Sequence, residues 1–153
     1  MQRLQETLDR IVAGRRPAIV AKVESAVAVR NLPEIVVRGA GYQPLAVMIA
    51  RGDLAVEIGF ARLAEIQEEI LWLCEAAQVP VVWATQALDT FVRKGSHSRA
   101  EITDAAMAER AECVMLNKGA HVLEAVGALD DVLGRMEAHQ SKKTSRLRAL
   151  RSW

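Results

Sequence analysis

Four side chains in this 153-residue sequence have the types and spacing to do chemistry together. Lys22 and Glu24 stand two apart in Ala21-Lys22-Val23-Glu24-Ser25. In an extended segment alternate residues share a face, so an ammonium and a carboxylate project side by side. Asp53 follows a second apolar run, in Ala50-Arg51-Gly52-Asp53-Leu54, and on a neighbouring strand ~4.8 Å away it offers a second carboxylate. Two carboxylates at that separation can grip one hard divalent ion. Magnesium suits them because it takes oxygen ligands at ~2.1 Å and keeps positions open for substrate oxygens. Gly52 has no side chain to keep a bound carboxylate from the backbone amides. Thr85, in Val82-Trp83-Ala84-Thr85-Gln86, adds a hydroxyl that can relay or accept a proton. Each residue alone has a plainer reading. Glu24 reads as a solvated strand end, Asp53 as a turn or cap, and Thr85 as a satisfied hydroxyl in a tight turn. It is Lys22 beside Glu24 that favours a site.

These residues need elements that bring them together, and the hydrophobic pattern supplies them. Short β-favouring runs begin at 18, 45, 80 and 112, separations of 27, 35 and 32 residues, close to the length of one βα unit. The runs starting at 80 and 112 are of the kind buried on both faces of a parallel sheet. Leu4, Leu8, Ile11 and Val12 have helical spacing, with Gly14 as a stop before Pro17. Short helices and loops fill the stretch to Arg38, broken at Pro33. Leu63, Ile66, Ile70, Leu73 and Ala77 form one apolar stripe, and Val122, Val126, Leu129, Leu133 and Met136 another. Ser98 followed by Glu101 is a capping box opening a helix to about Arg110, which makes Arg99 and Glu101 structural. The expected fold is α/β, four consecutive βα units with parallel strands. In such an array every βα loop lies on the carboxyl edge of the sheet, where α/β enzymes gather their chemistry.

Composition sets the outer limits. The chain is long enough for one core and too short for a complete eight-unit βα barrel of ~250 residues. Its 51% apolar and 25% charged residues are those of a globular protein, and a net charge of +1 gives no overall field for nucleic acid or anionic lipid. No nucleic-acid or membrane partner is expected. The first 16 residues are amphipathic and charge-rich rather than a signal peptide, and no window reaches the ~20 apolar residues of a membrane span, so a cytoplasmic location is expected. Cys74 and Cys113 occupy apolar positions without metal or disulfide spacing and read as buried, inert thiols. The division expected is a barrel-like unit over 1–138 and a basic tail over 139–153, with Lys142, Lys143, Arg146, Arg148 and Arg151.

The segments Ala21-Lys22-Val23-Glu24, Met48-Ile49-Ala50-Arg51-Gly52-Asp53-Leu54-Ala55-Val56-Glu57-Ile58, Ala84-Thr85-Gln86 and Ser98-Arg99-Ala100-Glu101 resemble, in order and spacing, consecutive signatures of pyruvate kinases. The resemblance runs over about residues 1 to 137. It implies strands five to eight of the family's (β/α)8 barrel, half of the whole. The implied reaction transfers phosphate from phosphoenolpyruvate to ADP, giving pyruvate and ATP in glycolysis. Lys22 would stabilise the phosphoryl group in flight and the enolate, and Glu24 and Asp53 would be the magnesium ligands. Backbone around Arg51, Gly52 and Asp53 would hold the substrate carboxylate, with Thr85 near the enolate carbon that is protonated. Potassium is implied too, but its ligands, the phosphate-binding arginine and the inserted lid domain have no counterpart in these residues. Ala55 stands where the family usually has glycine. Leu116-Asn117-Lys118-Gly119-Ala120-His121 replaces the family's longer loop containing Ser-Gly-Glu-Thr, and His121 reads as a surface or cap residue.

A half barrel leaves sheet edges and an apolar inner face open, so a homo-oligomer or a partner chain is expected to cover them. ADP or ATP would bind only with the missing half supplied. Two other functions fit the residues: a magnesium-dependent lyase or aldolase working through a pyruvate enolate, and a non-catalytic assembly module.

Overall fold

Every apolar run marked as a strand forms one, starting within one residue of the expected place. The computed structural model describes residues 1–140, so the basic tail expected beyond them lies almost wholly outside the described residues. Helix α1 (Gln2–Ile11) is followed by β1 (Ile19–Val23), α2 (Ala26–Arg30), α3 (Leu32–Ala40) and β2 (Leu45–Ala50). Next come α4 (Arg51–Ile58), α5 (Phe60–Ala76), β3 (Val81–Ala87), α6 (Asp89–Lys94) and α7 (Arg99–Met107). A 3-10 turn (Ala108–Arg110), β4 (Cys113–Leu116) and α8 (Val122–Gln140) complete the order. The strands form one open parallel sheet in the order β1-β2-β3-β4. No described helix is long and apolar enough to cross a membrane.

Burial differs between the two faces. Val23, Leu45, Val47, Ile49, Val81 and Trp83 are buried beneath helices, packing with Leu32, Val36, Leu54, Ile66 and Ile70. The other face is covered less. Register places Lys22, Met48, Val82 and Cys113 in one row across it. Met48 and Val82 in that row are half-buried, and Val20 is half exposed. The runs beginning at 80 and 112 are therefore not fully buried on both sides, because helices cover only one of them. Cys74 is buried on α5 as expected, and burial pushes its thiol up to about 12. Cys113 is exposed, contrary to expectation, because it points to the open face.

A second apolar cluster joins α6, α7 and α8 through Leu88, Val92, Ala105, Ala125 and Leu129. The capping box forms as the sequence predicts: Ser98 Oγ accepts from the Glu101 amide, and Glu101 returns to the Ser98 amide. The same carboxylate also accepts from the Thr90 amide at 2.6 Å, tying α7 to α6. Partial burial pushes the Glu101 carboxyl up, but the hydrogen bonds from Thr90 and Ser98 outweigh it and leave it below its ordinary value. Its contribution to stability is thus present at neutral pH and is lost as pH falls through that lowered value.

Helices α4 and α6 were not apparent from the sequence pattern. Helix α4 starts directly after β2, so Arg51, Gly52 and Asp53 form its first turn rather than a loop. Gly59, at φ +88°, then breaks α4 from α5, a conformation that favours glycine.

Candidate active site at the carboxyl edge of the sheet

Parallel strands bring the residues that follow them to one edge, and three of the candidates meet there. The Lys22 ammonium is hydrogen-bonded to Glu24 Oε2 and lies 3.5 Å from Asp53 Oδ2. One cation is shared by carboxylates from the ends of two strands. The hydrogen bond to Glu24 outweighs desolvation and, with the charges of Glu24 and Asp53, holds the Lys22 ammonium above its ordinary value. All three side chains are about half exposed or more, so water screens these pairs and their contribution to stability is small. What they supply is charge arranged around one point.

Two carboxylates facing one cation fit a hard divalent ion, which would take the place the ammonium now holds between them. Among the described residues no group of three or more His, Cys, Asp or Glu side chains is placed to hold a metal. An ion here would therefore take two protein carboxylates and leave its remaining positions to water or substrate oxygens, the pattern magnesium favours.

Thr85 reaches the same edge in an unusual backbone state. It has φ +64° and Gln86 has φ +62°, and the β3–β4 register shifts between Trp83 and Ala87. A β-branched residue in the left-handed region is a true outlier costing on the order of 1–3 kcal/mol, retained only where its surroundings enforce it. The surroundings here are explicit. Gly52 donates its amide N–H to Thr85 Oγ1 at 2.8 Å, using one of the free amides of the first turn of α4. Glycine is not demanded there by crowding, since a Cβ would sit 3.6 Å from Thr85 Oγ1.

The Arg51 side chain turns inward, and the residue is only 8% exposed. It donates to Ala84 O at 3.1 Å and to Thr85 O at 2.8 Å, pairs with Asp104 on α7, and stacks 4.5 Å from the Trp83 ring centroid. Asp104 and Trp83 were not singled out from sequence. The available signal was Asp104 lying one turn beyond the capping Glu101.

The loop after β4 is bound down onto α6. Asn117 donates to Asp89 Oδ1 at 2.8 Å, and the His121 amide donates to Val92 O at 3.0 Å. Gly119 lies so close that a Cβ would stand 2.4 Å from Val92 O, so this loop requires glycine. The His121 ring packs over Gly95, with Nδ1 3.5 Å from Glu124. Ala55, where the resemblance implied glycine, is buried at 3% exposure within α4.

Compared with known proteins, the chain matches the barrel domain of pyruvate kinase over residues 4–126. It is 39% identical over 114 residues to a pyruvate kinase of Encephalitozoon cuniculi, covering 73% of this chain and 25% of that protein. With a pyruvate kinase of Agrobacterium vitis it is 35% identical over 147 residues, 92% of this chain and 30% of that one. Among solved structures, a pyruvate kinase from Cryptosporidium parvum superposes with a TM-score of 0.72 at 32% identity, covering 78% of this chain and 24% of that chain. The chain thus spans about a quarter to a third of the length of these relatives.

Proposed function

From the premise that this chain belongs to the pyruvate kinase family and forms part of its α/β barrel, we propose that Lys22, Glu24, Asp53 and Thr85 make up the phosphoenolpyruvate and pyruvate side of a phosphotransferase site. The observation that carries this reading is the convergence of Lys22 on both carboxylates. Lys22 neutralises charge on the phosphoryl group in transfer to ADP and on the enolate oxygen left behind. Glu24 and Asp53 hold magnesium, which when bound neutralises phosphoryl and enolate oxygens. Thr85 Oγ1 accepts from Gly52, which leaves its own O–H free to donate towards the enolate carbon. The first turn of α4, through the backbone at Arg51 and Asp53, receives the substrate carboxylate at a helix N-terminus. Because its amide serves Thr85, Gly52 contributes by holding that hydroxyl. The family resemblance assigns potassium, ADP and ATP to residues of the other barrel half, so this chain supplies the enolate side of the site and transfer to ADP needs that half as well.

The test is magnesium-dependent exchange of pyruvate methyl protons in D2O, followed by loss of the methyl NMR signal. Exchange is expected with the chain and magnesium alone. Glu24→Gln and Asp53→Asn are each expected to slow it at least about 10-fold at fixed magnesium. Exchange that persists unchanged in both variants, or is absent from the parent chain, rejects the assignment.

The open sheet face supports a second element of the proposal: residues 1–138 act as a barrel segment that associates with a second copy or a partner chain. Val20, Met48, Val82 and Cys113 offer apolar surface there, and β1 and β4 each have one unpaired edge in the described sheet. Free cysteines, one of them exposed, suit a reducing compartment such as the cytoplasm. In solution the chain is expected to run above monomer mass, with Cys113 reacting quickly with a thiol reagent only after dilution to monomer and Cys74 unreactive throughout. A monomer at all concentrations with Cys113 always reactive removes the association.

A further inference from the structure

Consecutive residues of α4 grip Thr85 from two sides: Gly52 holds its hydroxyl and Arg51 its carbonyl. The Arg51 hold is built into the interior. Its guanidinium is fixed by three hydrogen-bonding partners and by the Trp83 ring beneath it. Two of those partners, Ala84 O and Thr85 O, are successive carbonyls at the point where β3 leaves regular geometry and enters the left-handed region. The third, Asp104, belongs to α7, which is attached to α6 through Glu101. Guanidinium is suited to this task because its donors lie in a fixed planar fork, whereas an ammonium is a single point charge.

We infer that Arg51, oriented by Asp104, is a positioning residue that holds the left-handed backbone at Thr85 and so sets where the Thr85 hydroxyl stands. Arg51 touches no substrate in this role and acts through Thr85. That the hydroxyl then works on an enolate rests on the proposed function, but the positioning itself does not. With the guanidinium removed, no other side chain among the described residues donates to both carbonyls at once. Thr85 then relaxes towards a negative φ, and its hydroxyl leaves the Gly52 amide.

The test uses the full chain, labelled with 15N and 13C, as parent, Arg51→Lys and Asp104→Asn, with far-UV circular dichroism confirming that each is folded. In the parent, Thr85 and Gln86 should show the carbon shifts of a left-handed backbone, and the Gly52 amide should be protected from hydrogen exchange. Arg51→Lys is expected to move the Thr85 shifts to extended values and to lower Gly52 protection about 10-fold or more. Asp104→Asn keeps both carbonyl bonds and loosens the guanidinium, so it should move the same signals in the same direction by less. A purely structural role would lower protection throughout the core; the inference requires a change concentrated at Ala84–Gln86 and Gly52. Unchanged Thr85 shifts and Gly52 protection in folded Arg51→Lys overturn it. If that variant does not fold, unchanged signals in Asp104→Asn do so. Pyruvate methyl exchange in the same samples separates the two ideas: loss of the Thr85 signature with exchange intact supports positioning while removing Thr85 from the chemistry. Absence of exchange in the parent removes the proposed function and leaves the shift test standing.

Discussion

Lys22→Met is expected to reduce magnesium-dependent pyruvate methyl exchange by about 10²–10⁴-fold, the range lost when a charge-stabilising or proton-handling group is removed from a reacting centre. The substitution keeps the length of the side chain and removes its charge. Glu24 and Asp53 are left facing each other without the cation they share. Their mutual repulsion draws a divalent ion in more strongly, so magnesium affinity should hold or rise while turnover falls. That opposition distinguishes a direct role for Lys22 from general damage to the site, in which both would fall. Methyl exchange by NMR and magnesium titration by calorimetry read the two quantities, and exchange within about twofold of the parent rate would remove Lys22 from the mechanism.

Trp83→Ala should produce the largest loss of stability. Trp83 is fully buried in the main core, and its ring carries the Arg51 guanidinium. Truncating a buried Trp costs about 3–5 kcal/mol, and losing the cation–π contact adds up to about 2 kcal/mol. Against a total of about 5–15 kcal/mol for a folded domain, this removes a large share of the stability. In a chain of this size it lowers the melting temperature by about 10–20 °C, measurable by circular dichroism. Trp83→Phe is the informative partner. The Trp83 indole N–H finds no acceptor among the described residues, so the replacement forfeits volume but no hydrogen bond and should cost far less. Equal losses in the two variants would show that the ring as such contributes little.

The sequence made the βα frame legible because short apolar runs separated by about one βα length leave few other arrangements. Lys22, Glu24 and Asp53 were legible because strand alternation and parallel topology fix where strand-end residues go before any side chain is placed. The division of the stretch from Arg51 to Ala76 was not. Two helices of mixed apolar pattern run almost end to end, and the break between them depends on one backbone angle at Gly59. The inward turn of Arg51 was hidden for a different reason. Arginine is usually solvated, and its burial here depends on Asp104, 53 positions away in sequence. The positive φ of Thr85 was likewise invisible, because residue type argues against it and only tertiary hydrogen bonds enforce it. Cys113 was misplaced because an apolar neighbourhood in sequence does not say whether both faces of a strand are covered.

Each strand pairs only with its neighbours in chain order, so the sheet can be extended at one margin as the polypeptide is synthesised, without waiting for distant sequence. A nascent chain carrying only the first two strands and the start of α4 already holds Lys22, Glu24 and Asp53. The hydroxyl of Thr85 arrives later, and the Arg51 that holds its backbone gains its partner Asp104 later still. The paired carboxylates and the Thr85 hydroxyl are thus brought into place at different moments in the life of the molecule.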